Sequence, residues 1–231
     1  MEPLFQLSRW AHIAAGFIAL FVFWIPLVVK KGGPAHRVSG WIYVWAMVVV
    51  SISSFYMGIY RIGFDPQKSG ESIAFAWFLI FIAILSGATA WYGIRVLKYK
   101  SRVVSHRHPL DLLFPSLLLL AGIGISIYGF IIDFPLLAYF PLLGLFLGGT
   151  HLLYWLRKPK LNQHWLMEHI TGMMSCCIAT ITAFTVFGAP RLLHIESTGI
   201  LLWILPSIII VPLLIGFTNY YRKKCNPTPE K

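Results

Sequence analysis

The residues best suited to chemistry in this 231-residue chain are its eight histidines and one carboxylate, Glu168, set inside an otherwise apolar run. Histidine ligates metal ions and haem iron and moves protons near neutral pH. His151 and His169 stand in consecutive apolar runs joined by a short loop. At about 1.5 Å of rise per residue, both fall roughly 8–9 Å inside the same membrane boundary, so they are placed to share a metal ion or a haem iron. His12 lies toward the opposite side as a third candidate haem ligand, and only His194 could join it there. The candidate metal set is His36, His151, Glu168 and His169, and the cofactor those residue types would take is haem b or a divalent metal. Glu168 could instead orient a histidine by a hydrogen bond or carry a proton. A purely structural cluster that packs helices is the competing reading for all of them. His36, His106, His108 and His164 fall at the interface, where histidine commonly serves as an anchor.

The stretch HWLMEHITGMMSCCIATITAF (164–184) concentrates these features. On a helical wheel Glu168, His169, Gly172, Ser175, Cys176, Ala179, Thr180, Thr182 and Ala183 share one small-and-polar arc, which should face the protein interior. Met173, Met174 and Cys176 beside His169 suggest copper(I), although Met in an apolar helix more often fills space.

The elements that must position these residues are membrane helices. Hydrophobic residues make up 58% of the chain and charged residues 12%, about half the charged share of a soluble domain. Seven runs reach the roughly 20 apolar residues that a bilayer needs: 10–29, 40–60, 73–97, 110–132, 135–156, 165–187 and 198–217. Bare backbone groups cannot be satisfied in lipid, so the spans are helical. The expected fold is one all-α bundle of seven transmembrane helices occupying 1–231. The joint Asp133-Phe134-Pro135 is short enough to make the flanking helices a tight antiparallel pair. Gly122, Gly124, Gly144, Gly148 and Gly149 would let helix backbones approach closely. Adjacent Cys176 and Cys177 in an apolar run, with Cys225 near a basic end, argue against a disulfide framework.

The net charge of +11 has a positional explanation. Lys30, Lys31, Arg37, Arg95, Lys98, Lys100, Arg102, Arg107, Arg157, Lys158, Lys160, Arg222, Lys223, Lys224 and Lys231 fall on alternate joints and the C-terminal tail. The other side holds only Arg9, Arg61, Lys68 and Arg191. The positive-inside rule then puts the N-terminus outside and the C-terminus in the cytoplasm. Anionic lipid headgroups are the natural partner of such loops, with Arg37 and Arg107 as headgroup contacts, and nucleic acid need not be invoked. The first run is too long, and its basic residues too late, for a cleaved signal peptide.

Two stretches resemble an uncharacterised bacterial family of multi-pass membrane proteins: HIAAGFIAL (12–20) leading to KGGPAHRVSGWIYV (31–44), and the 164–184 stretch. The family pattern has a histidine early in the first helix, a His-Arg-x-x-Gly turn and a histidine in the sixth, matched by His12, by His36, Arg37 and Gly40, and by His169. The resemblance implies a bacterial plasma-membrane location and supplies no reaction.

Four functions fit these residues. A haem- or metal-associated redox or assembly protein suits the intramembrane histidines best. A small-molecule or proton-linked transporter, and an intramembrane metal hydrolase, are the alternatives. The fourth is an interaction protein with a membrane partner or a second copy of the chain. A retinal pigment is disfavoured because no lysine lies mid-span, and no nucleotide loop or nucleophile triad is present.

Overall fold

The structure, a computed structural model, describes residues 2–66, 69–194 and 200–227, without the side chains of 200, 201 and 204. Lys68, Lys231 and the first two residues of the last expected span lie outside that description. The protein is all-helical, with helix over 84% of the described residues and no strand among them. In chain order the helices are α1 (Glu2–Val22), α2 (Trp24–Val28), α3 (Pro34–Gly63), α4 (Gly70–Arg95), α5 (Pro109–Ile131), α6 (Pro135–Tyr139), α7 (Leu142–Leu156), α8 (His164–Ala183), α9 (Ala189–Leu193) and α10 (Ile200–Cys225). A 3-10 turn, Val96–Lys98, follows α4, and a π turn, Phe184–Gly188, joins α8 to α9.

Six segments are long and apolar enough to cross a membrane: Glu2–Val28, Pro34–Gly63, Gly70–Lys98, Pro109–Ile131, Pro135–Leu156 and His164–Leu193. They coincide with the first six expected runs, and α10 occupies the seventh. Most observed helices extend past the apolar run into polar residues, because hydropathy marks the lipid-facing length and hydrogen bonding continues beyond it. Large apolar side chains such as Trp45, Leu120, Ile127 and Phe146 are exposed along the spans, a pattern that water would penalise and lipid accepts.

Proline sets the breaks. Pro26 has no N–H for the carbonyl of Val22, the residue at which α1 ends. Pro141 separates α6 from α7 in the same way, and the π turn absorbs Pro190 at the start of α9.

The chain divides into two compact units. The first holds residues 1–88 and 108–153. In it α1 runs along α3 and α2 packs on α3. Gly122 abuts Pro141 and Leu145, Gly144 abuts Phe81 and Leu118, and Gly148 abuts Pro115 and Leu119, all through contacts with no room for a Cβ. Gly124 faces open space and Gly149 meets Leu119 only at ordinary contact distance, so the expected close approach uses three of the five glycines. These three share a helix face with their contacts, whereas Gly124 is turned away from it. The tightest approach is at Gly129, against Leu137 and Ala138 across the short joint.

The second unit holds residues 89–107 and 154–231. Here α10 runs along α8. The end of α10 is tied to the loop before α8: the Asn162 N–H donates to Asn226 Oδ1 at 2.8 Å, and Asn226 Nδ2 donates to the Asn162 carbonyl at 3.3 Å. Cys176, Cys177 and Cys225 are thiols and form no disulfide.

Candidate functional site

The second unit gathers a polar cluster where the end of α4, the loop after it and the start of α8 meet the last turn of α7. Its organising feature is spacing on α8. His164, Glu168 and Gly172 fall at i, i+4 and i+8, one above another on a single helix face. Gly172 removes the side chain from that stripe. A Cβ there would lie 2.9 Å from the Gly93 backbone and 3.2 Å from the Thr89 carbonyl. The α8 and α4 backbones therefore touch, and the polar residues one and two turns earlier are carried onto α4.

The result is a bond between two spans. The Tyr92 hydroxyl donates to Glu168 Oε2 at 2.5 Å. That distance is in the range of a charge-assisted O–H···O contact. Tyr92 is fully buried, at 1% exposure. His169, the next residue on α8, places Nδ1 2.7 Å from the Gly93 carbonyl. A carbonyl can only accept, so Nδ1 carries the proton and the basic electron pair is on Nε2.

A second phenol pair lies about 6 Å toward the start of α8, one helical turn away. His164 Nε2 faces the Arg102 carbonyl at 3.1 Å and therefore donates to it. Its Nδ1 is then the acceptor for the Tyr154 hydroxyl at 2.8 Å. The rings of Tyr92 and Tyr154 meet edge to face at 5.8 Å, so the two pairs adjoin.

Arg102 closes this end. Its guanidinium donates to the carbonyls of Tyr154 (2.9 Å), Arg157 (2.9 Å), Val104 (3.0 Å) and Trp155 (3.4 Å). It also stacks over the Tyr154 ring at 4.4 Å. The last turn of a helix leaves carbonyls without partners, and one planar fork satisfies several of those of α7 at once. The His106 N–H donates to the Trp155 carbonyl at 2.7 Å, and its ring lies on Tyr99 and Trp155.

The histidines anticipated from sequence fall in both units. His169 and Glu168 are together, but Glu168 is bonded to the Tyr92 phenol and not to a histidine. His151 is in the first unit, on α7, at 1% exposure. His36 Nδ1 bonds the Pro26 carbonyl at 3.1 Å and holds the break before α3. Lys31 donates to the carbonyls of Pro26 and Leu27, and its partial burial lowers the ammonium pKa from its ordinary value. His12 Nδ1 lies 3.0 Å from Ser53 Oγ and 3.2 Å from Ser54 Oγ, between α1 and α3. His108 sits 3.8 Å from the buried Asp111 carboxylate. Among the described residues no three His, Cys, Asp or Glu form a group that could hold a metal ion.

On α8, Gly172, Cys176, Thr180 and Thr182 of the expected polar arc are buried, while Ala183 is exposed. Tyr92, Tyr154 and Arg102 were not anticipated as site residues. Arg102 counted as one more loop charge, and the two tyrosines carried no reading. Their positions at span ends were the only signal.

No curated protein matches the chain, and no solved structure does. Residues 10–111 match a family described as "Predicted membrane protein (DUF2306)". The match takes in the 12–20 and 31–44 segments and stops before α8. Over that part the chain is shown to resemble a family of membrane proteins of unknown function.

Proposed function

We propose that this multi-pass membrane protein is proton-linked, and that Glu168 is its proton-carrying group. The observation that carries this reading is the 2.5 Å bond from the Tyr92 hydroxyl to Glu168 inside the spans. A carboxylate at such a position is costly and generally functional. In this reading Glu168 takes and releases the proton, and Tyr92 holds the ionised carboxylate. Tyr154 and His164 form the adjoining relay pair toward the helix start, and Gly172 keeps α8 against α4 so that the pairs stay aligned.

The test is proton movement in proteoliposomes under a potassium diffusion potential, with and without a mixture of small organic solutes. Wild-type protein should move protons, Glu168→Gln should reduce the rate about tenfold or more, and Glu168→Asp should recover part of it. Equal rates for wild type and Glu168→Gln would contradict the proposal. A second reading, a haem- or metal-associated redox protein, is favoured by the Nδ1 bond of His169, which fixes the ring as such ligands require. A haem absorption band or bound metal lost in His169→Ala would support that reading over the first.

The proposed setting is a bacterial plasma membrane, N-terminus outside and C-terminus in the cytoplasm, with the basic joints on anionic headgroups. A C-terminal fluorescent reporter should be active and a C-terminal periplasmic phosphatase reporter silent. The reverse pattern would invert the assignment.

A further inference from the structure

In the first unit a groove of about 740 Å³ opens on the face of α3 beside α1. Arg37, Trp41 and Trp45 line it at i, i+4 and i+8, Val38 and Ile42 flank them, and Ile18 comes from α1. Eight residues at about 1.5 Å each make the stripe about 12 Å deep, from a cation at the helix start to an indole well inside the span. Trp41, Trp45 and Val38 are more than half exposed, so the groove is unfilled by the protein. The Arg37 guanidinium has no ion pair or side-chain hydrogen bond among the described residues. The neighbouring Lys31 is turned onto the carbonyls of Pro26 and Leu27.

We infer that this groove holds one anionic phospholipid, its phosphodiester on Arg37 and an acyl chain along Trp41 and Trp45. The charge at the mouth and the apolar wall both fit that occupant. An acyl chain suits the apolar stripe, a guanidinium at its mouth binds phosphate bidentately, and a headgroup with net negative charge is favoured there over a zwitterionic one. A basic patch without the groove would attract anionic lipid diffusely. This groove adds a depth-defined contact with two named indoles.

The experiment uses the full chain in phosphatidylcholine vesicles carrying a fixed fraction of brominated-chain phosphatidylglycerol or brominated-chain phosphatidylcholine. Bromine quenches nearby tryptophan. The share of emission that disappears in Trp41→Phe/Trp45→Phe should be quenched by the glycerol lipid at about fivefold lower mole fraction, the size of one cation–headgroup contact. Arg37→Gln should abolish that preference, Arg37→Lys should keep part of it, and Arg191→Gln, which is not in the groove lining, should leave it unchanged. Arg37 and Arg191 are both exposed, so these variants leave packing intact. Equal quenching by the two lipids in wild type would overturn the inference. So would a preference that survives Arg37→Gln or vanishes in Arg191→Gln.

Discussion

Arg102→Ala is expected to destabilise the protein more than any other single loss of a basic side chain. The guanidinium is buried at 9% exposure and donates to four carbonyls. Its removal strands acceptors at the end of α7 and takes the cation from the Tyr154 ring. Hydrogen bonds to a charged donor are worth about 1.5–3 kcal/mol each, and an acceptor left buried and unpaired adds to the cost. Water can reach some of these carbonyls at a helix end, so the net loss should be about 3 kcal/mol. For a chain of this length that corresponds to an apparent unfolding midpoint lower by about 6–12 °C. Lysine carries the charge but not the planar fork, so Arg102→Lys should recover less than half of the loss. Thermal unfolding of the detergent-purified variants measures both. An unchanged midpoint in Arg102→Ala would show that the carbonyls find other donors.

The second large effect is expected at Gly172. Alanine normally gains about 1 kcal/mol over glycine inside a helix. At Gly172 the added methyl would meet backbone atoms of Gly93 and Thr89 at 2.9–3.2 Å, and backbone cannot rotate aside. Overpacking of this kind costs about 1–3 kcal/mol, which exceeds the propensity gain. The two helices must separate, and the Tyr92–Glu168 and His169–Gly93 bonds lengthen with them. Gly172→Ala should therefore lower both the melting midpoint and proton movement. Gly124→Ala is the matched control. Nothing lies within 4 Å of the Cβ it adds, so it should leave stability unchanged or raise it slightly. If both variants behave alike, the glycine contact does not position the site.

These residues show which parts of the molecule could be read in advance. The spans were legible because lipid imposes a long apolar run on each, and the observed segments follow the runs closely. Gly172, Glu168 and His169 were legible as one polar arc because helical periodicity is local. Their partners were not. Tyr92 and Glu168 are separated by 76 residues, and Arg102 and the Tyr154 carbonyl by 52. No pattern within one helix reports which distant element supplies a hydroxyl or a guanidinium. Arg102 was misleading for a further reason. A basic residue in a joint satisfies the positive-inside pattern whether it faces lipid headgroups or turns inward onto a helix end. Depth alone likewise fixes a histidine's position along a helix but not the direction in which its ring points.

The most direct test of the proton-carrying role of Glu168 is a pH titration of the carboxyl C=O stretch by difference infrared spectroscopy on lipid-reconstituted protein. A band that appears as pH falls, is absent in Glu168→Gln and changes frequency in Tyr92→Phe would match a carboxyl group that is protonated reversibly and bonded to the Tyr92 hydroxyl. A wild-type spectrum without a pH-dependent band assignable to Glu168, or a band untouched by Tyr92→Phe, would contradict the account.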